Sequence, residues 1–176
     1  MSNEPRLRVF EPQDERPIPP WPGPGPAPTE PERVYVIGMR TVEGRIEFYF
    51  VDRPPLPDPS DDGPLEIRIP EDCVIVLRLD PAWQWGFRNK NAVMFGPMDY
   101  PEVPRYFNLQ NSSEGGRCQE VRFNAHRLDV TEANWDVYSL YIEIDQKTRN
   151  DAAIVPLLIR IDPDVKNPGD PPHPPH

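Results

Sequence analysis

Val155-Pro-Leu-Leu-Ile-Arg-Ile-Asp-Pro-Asp-Val-Lys-Asn-Pro-Gly169 is the stretch whose reading decides the fold class. Its apolar residues alternate, which turns Val155, Leu157, Ile159 and Ile161 to one side and leaves Pro156 and Arg160 on the other. A period of two is the mark of a strand that buries one face. Asp162-Pro163 then ends it, because proline has no N–H to give to a further ladder bond.

The same period recurs toward the N-terminus, and helical periodicity is nearly absent. Val137–Ile144 puts Tyr138, Leu140, Ile142 and Ile144 on one face, and Gln119–His126 turns Val121, Phe123 and Ala125 inward with Arg122, Asn124 and His126 outward. Cys73–Asp80 is apolar on both faces, as a central strand should be. Leu65, Ile67 and Ile69 alternate. Val34–Met39 and Arg45–Asp52 flank Val42-Glu-Gly-Arg45 and read as a hairpin, with Ile46, Phe48 and Phe50 inward. A short peripheral helix is expected within Asp129–Asn134. Seven or more short strands predict an all-β fold: an antiparallel Greek-key β-sandwich of the immunoglobulin-like or cupredoxin-like kind.

Proline marks the boundaries. Of 27 prolines, ten lie in residues 1–32, six in 53–70 and seven in 156–175, whereas 105–155 has none. The chain of 176 residues thus reads as a proline-rich extended tail over 1–32, a sandwich domain over 33–168 and a short disordered tail over 169–176. Arg16–Pro28 has polyproline II character and suits a semi-rigid spacer, with recognition by an aromatic groove as a second use.

The formal charge of −10 opposes phosphate backbones and anionic membranes, so neither nucleic acid nor membrane is an expected partner. The N-terminus lacks an apolar h-region and no apolar run approaches about 18 residues, which makes the cytoplasm the expected location. Cys73 and Cys118 are too sparse for a disulfide framework and read as two reduced, partly buried thiols.

Chemistry-bearing patterns are few. A blue-copper site needs two histidines, a cysteine and an axial ligand clustered near the last strands; Asp145–Ala153 has none of these, and His126 lies on a polar face. Calcium needs six or more oxygens. Asp58, Asp61 and Asp62 form one loose acidic group, and Asp162, Asp164 and Asn167 form the candidate metal set. Cys118 and His126 are eight residues apart on one strand, too far to pair in catalysis. There is no glycine-rich phosphate loop, no catalytic residue is assigned, no cofactor is expected and the chain is not expected to be an enzyme.

Pro81–Pro104 is the exception among the connections, long and rich in rings. Trp83, Trp85, Phe87, Arg88, Lys90 and Tyr100 are the candidate contact residues, since exposed aromatics anchor ligands and interfaces; the competing account is that the rings cap the core. Trp83, Trp85 and Phe87 alternate, so part of the segment reads as a further strand.

Leu157-Leu-Ile-Arg-Ile-Asp-Pro-Asp-Val-Lys-Asn-Pro168, preceded by Tyr138-Ser-Leu-Tyr-Ile142, resembles the small bacterial β-sandwich proteins of the DP-EP family and the close of cupredoxin-like domains without copper ligands. The resemblance covers residues 135–168, implies a sandwich and transfers no functional residue. The expected function is a non-catalytic binding or structural module that contacts a protein partner, or a second copy of itself, through edge strands or the aromatic loop. The alternative is a metal-dependent protein, either a divergent copper carrier or a calcium-stabilised ligand binder.

Overall fold

A computed structural model describes residues 15–55, 65–96, 105–114, 117–127, 134–147, 154–161 and 164–167. Among them there are strands and connections but no helix: β1 (Arg16–Pro17), β2 (Glu32–Val42), β3 (Arg45–Asp52), β4 (Ile67–Arg68), β5 (Cys73–Leu79), β6 (Trp85–Phe87), β7 (Val93–Phe95), β8 (Tyr106–Glu114), β9 (Arg117–Ala125), β10 (Asn134–Lys147), β11 (Ile154–Ile161) and β12 (Asp164–Asn167). The fold is all-β, as the periodicity predicts. The stretch expected to hold a short helix falls almost wholly outside the described residues.

Hydrogen bonds run in the order β1-β7-β10-β6-β9-β5-β2-β3, with β8 also on β9, β11 also on β10, and β12 joining β10 to β4. The pairing is mixed rather than purely antiparallel. β2 lies parallel to β5 from Glu32↔Val74 to Ile37↔Leu79, and β12 lies parallel to β4. A parallel pair needs a crossover of about a dozen residues or more. β3 ends at Asp52 and β5 begins at Cys73, a separation long enough for such a crossover. The β2–β3 hairpin forms as expected, and Glu43 and Gly44 at its turn both have positive φ, 49° and 77°. That is the requirement of a tight hairpin turn whose twist matches its strands.

β5 is the central strand, held between β2 and β9 and buried on both faces except at Arg78. Its Ile75 and Leu77 join Ile37 of β2 and Val121 and Phe123 of β9 in a core closed from the other half of the sheet by Tyr138, Leu140 and Ile142 of β10. Phe95 of β7 stacks on Tyr106 of β8 with centroids 3.7 Å apart and meets Phe123 edge-on at 5.9 Å. Ile46 departs from the predicted inward set: it is 60% exposed, while Phe48 and Phe50 pack against the core.

The closing strand also departs from its reading. β11 pairs with β10 from Leu140↔Ile161 to Lys147↔Ile154, but Leu157 and Leu158 are 44% and 50% exposed. Ile161 packs on the core, and Arg160, expected to face solvent, turns onto Glu15. The carboxylate of Glu15 is 3% exposed and lies 2.7 Å from Arg160 Nε. It accepts hydrogen bonds from Ser139 Oγ at 2.7 Å and from the Tyr141 hydroxyl. A charge so deeply buried needs this number of partners, and the cluster fastens the chain just before β1, which itself contributes only Arg16↔Phe95 and Pro17↔Met94.

Two outcomes follow from this architecture. In urea unfolding, Phe95→Ala should lower stability by about 3–5 kcal/mol, whereas Leu158→Ala on the exposed edge should change it by less than about 0.5 kcal/mol. Burial, with the neighbouring Glu15, pushes the Tyr141 phenol up from 10.0 to about 12. The folded state then keeps a proton that the unfolded chain has released, so stability falls as pH rises through that interval. Unfolding between pH 10 and 12 should show a shallower pH dependence in Tyr141→Phe than in the wild type.

Candidate functional site

The aromatic segment after β5 serves mainly the core. Trp85 and Phe87 are 0% and 2% exposed, and Trp85 Nε1 donates to Asp80 O at 2.8 Å. The account in which these rings cap the core therefore holds for both. Their shared face follows from β6, in which Gly86 lies against Cys118 O of β9. Arg88 is engaged as well, donating to Lys90 O at 2.8 Å and Asn91 O at 2.6 Å with its guanidinium 3.8 Å from the Tyr141 ring centre. Trp83 and Lys90 remain exposed, and Tyr100 lies outside the described residues. The five described residues of the set do not share one exposed surface.

Of the candidate metal set, Asp162 lies outside the described residues, and Asp164 and Asn167 are the two ends of β12. Asp58, Asp61 and Asp62 also lie outside. No group of three or more His, Cys, Asp or Glu side chains among the described residues is placed to hold a metal ion. Cys73 and Cys118 are free and buried. Burial pushes the Cys73 thiol up to about 11 and raises that of Cys118, which makes both poor nucleophiles near neutral pH.

A different place gathers polar groups. Alternation sends Val74 and Val76 of β5 and Arg122, Asn124 and His126 at β9 to the side away from the main core. Val74 and Val76 would leave apolar surface open there, yet they are 5% and 0% exposed. Chain preceding β2 helps to cover this face, and residues 21–29 form a strap over part of it. Proline offers only a carbonyl, so the sheet must donate, and it does: Asn108 N to Pro19 O, Asn124 Nδ2 to Pro28 O and Val74 N to Pro31 O, each at 2.8 Å. Trp21 packs edge-on against Phe107 at 5.8 Å. Gly23 lies against the indole so closely that a Cβ there would come within 2.7 Å of Trp21 Cζ2.

Between strap and sheet is a pocket of about 370 Å³. Trp21, Pro26 and Thr29 line it from the strap, Asn108 and Gln110 from β8, and Arg122 and Asn124 from β9. The β8–β9 register is irregular between Phe107 and Gln110, and Asn108 there has φ of 61°, a left-handed conformation that asparagine tolerates. Such irregularities re-aim side chains. Three carboxamides join in a row: Gln110 Nε2 donates to Asn108 Oδ1 and Asn108 Nδ2 to Asn124 Oδ1, both at 3.4 Å. Arg122 is paired with Glu32 through Nη2, and its Nε is 3.6 Å from Glu120. Trp21 Nε1 is a buried donor with no acceptor among the described residues.

His126 lies just beyond Asn124. Its ring is 6.3 Å from that of Trp21 and 5.1 Å from that of Phe107. Nδ1 is 3.2 Å from Asp72 Oδ2, while Asp72 Oδ1 accepts from Arg127 N at 2.7 Å. The outward row Arg122, Asn124 and His126 is readable from alternation, but its roof is not, because residues 21–29 look like a solvated spacer. The one available signal is Trp21, a large apolar ring among prolines.

No curated protein matches the chain at a significant level. A family model does match, over residues 20–170, and it is described as pNTSase1, a predicted novel nucleotide synthetase. The finding overturns the resemblance to DP-EP and copper-free cupredoxin-like proteins, which rested on residues 135–168. A strand closing on Asp-Pro is a general way to stop a ladder and is open to any β-protein. The expectation of a non-catalytic, protein-binding module that is not an enzyme is also corrected, since the family points to catalysis, and the metal-carrier alternative gives way with it. The match takes in every strand from β2 to β12 and the whole pocket lining, and the chain belongs to the predicted novel nucleotide synthetase family.

Proposed function

We propose that the chain is a nucleotide synthetase that holds the base of its nucleotide in the pocket beneath the proline strap. The observation that carries this reading is the row of carboxamides Gln110, Asn108 and Asn124 under Trp21. A nucleobase is a flat ring with alternating donors and acceptors on its edge. A carboxamide supplies both kinds of group, and an indole gives the ring an apolar wall worth about 1–3 kcal/mol per stacked base. The volume of about 370 Å³ falls at the small end of the range of about 300–1,000 Å³ typical of ligand pockets, which suits one nucleoside rather than a polynucleotide.

Arg122 lines the pocket with its charge held by Glu32, and just outside the lining the His126 ring is 6.3 Å from that of Trp21. There His126 is the natural group to handle a proton. The carboxylate of Asp72 at Nδ1 favours an orientation in which Nε2 does the exchange. When a hydroxyl attacks phosphorus, its proton passes to Nε2. The new O–P bond forms with the oxygen's electron pair, and the old P–O bond breaks with its electrons on the departing phosphate oxygen.

Calorimetry with the four ribonucleoside triphosphates in magnesium buffer, followed by chromatography for new nucleotide products, tests the reading. Trp21→Ala and Asn124→Ala should each weaken binding about tenfold, equivalent to about 1.4 kcal/mol, while Trp83→Ala should leave it unchanged. Losses at Trp83 with none at Asn124 would move the site to the aromatic segment, and absence of any binding would sink the pocket. His126→Gln should keep the affinity and slow product formation about a hundredfold or more, the range for loss of a general acid–base group.

A further inference from the structure

β3 ends its side of the sheet, and among the described residues it pairs with β2 alone. The two-residue turn at Glu43-Gly44 makes Val42↔Arg45 a hydrogen-bonded pair, and bonded and unbonded pairs alternate from there. Arg45, Glu47 and Tyr49 therefore commit their backbone groups to β2, while Ile46, Phe48 and Phe50 turn theirs outward. The side chains of the outward three share the inner face, where Phe48 and Phe50 reach the core but Ile46 is 60% exposed. Sheet edges are commonly guarded by inward-pointing charges or by proline. From Arg45 to Val51 the inner face carries no charge, and no proline interrupts the strand. On the other face Val51, itself exposed, lies with Tyr49 over Gly38.

We infer that β3 pairs antiparallel with β3 of a second copy of this chain, continuing the sheet across a twofold axis at Phe48. Such an axis, normal to the sheet, keeps every residue on its own face, so only registers centred on a residue are allowed. Centring on Phe48 sets Phe48 against its own copy and Ile46 against Phe50, so the exposed side chain meets a ring. On the other face it sets Glu47 opposite Tyr49. Arg40 pairs with Glu47 at 3.2 Å and lies over Tyr49 at 4.6 Å, so Tyr49 of the second copy brings a second guanidinium toward Glu47. The neighbouring registers fail. Centring on Glu47 sets two carboxylates directly opposite, and centring on Tyr49 sets Arg45 opposite Arg53; like charges so placed are destabilising. Centring on Ile46 runs into the positive-φ turn at Glu43-Gly44, and centring on Phe50 falls at the irregularity facing Val36 and Ile37. In strand addition the main chain gives affinity and the side chains give selectivity. The inference does not depend on the nucleotide reading of the pocket.

Sedimentation of the full chain over concentrations of about 1–100 μM, which bracket a micromolar dissociation constant, should show a monomer–dimer equilibrium. Ile46→Lys places a charge on the inner face of the edge and should raise that constant at least about tenfold. Ile46 is mostly exposed, so the variant should keep the wild-type urea midpoint. Cysteine cross-linking reads the register. Glu47 and Tyr49 of the two copies form a non-hydrogen-bonded pair, with Cα atoms about 4.5 Å apart, a spacing that accepts a disulfide. Glu47→Cys mixed with Tyr49→Cys should therefore give a linked dimer that neither variant gives alone, since Cys73 and Cys118 are buried. A monomer across the whole range, or a dimer indifferent to Ile46→Lys, would overturn the inference. Linked dimers of Glu47→Cys alone or of Tyr49→Cys alone would overturn the pairing centred on Phe48.

Discussion

Proline's missing N–H is the constraint on which the functional face depends. Pro19, Pro28 and Pro31 can join the sheet only by accepting hydrogen bonds, and each of the three bonds that they accept has its donor on β5, β8 or β9. A strap held through carbonyls alone cannot become one more strand in register, because a strand must also donate. It stands off the sheet, and the pocket is the space left beneath it. The same one-way chemistry sets the direction of the amide row under the strap, so a backbone property of Pro28 reaches through Asn124 and Asn108 to Gln110.

The sheet that carries this arrangement is organised around β5. Its parallel neighbour β2 and antiparallel neighbour β9 bury both of its faces. One face builds the main core with Ile75 and Leu77, and the other puts Val74 at the pocket. Two of the rings that looked suited to ligand contact, Trp85 and Phe87, are consumed by the core on the opposite side. Phe95 alone meets Tyr106, Phe123 and Tyr138. Aromatic density marked a packing requirement, and the more informative groups at the site were ordinary amides.

Strand positions were largely legible. Cys73–Leu79, Gln119–Ala125 and Val137–Ile144 bury the residues that alternation assigns inward, and the Glu43-Gly44 turn forms where the residues call for it. The closing strand was legible as a strand but not in its burial. Leu157 is exposed because β11 lies at the rim, and Arg160 turns in because Glu15, 145 positions earlier, waits there as a buried carboxylate. Alternation describes one chain segment and says nothing about what covers its second face. The family was likewise not legible in a short strand-ending motif, whose hydrogen-bonding logic is common to many sheets.

Half of the site could be read in advance. Arg122, Asn124 and His126 fall on an outward row by parity alone, since a strand's side chains must alternate. The other half required the fold, for physical reasons that act over distance. Trp21 stands among prolines and has no periodicity to report where it packs, and Asn108 reaches the pocket through a local irregularity in pairing. The residues by themselves determined an all-β chain, its hairpin and its central strand, because those follow from local alternation and turn chemistry. Only the tertiary structure decided that β2 runs parallel to β5, that Trp85 and Phe87 are core and that the proline-rich segment roofs a pocket. Each of those depends on which distant groups meet to satisfy one another's hydrogen bonds and apolar surface.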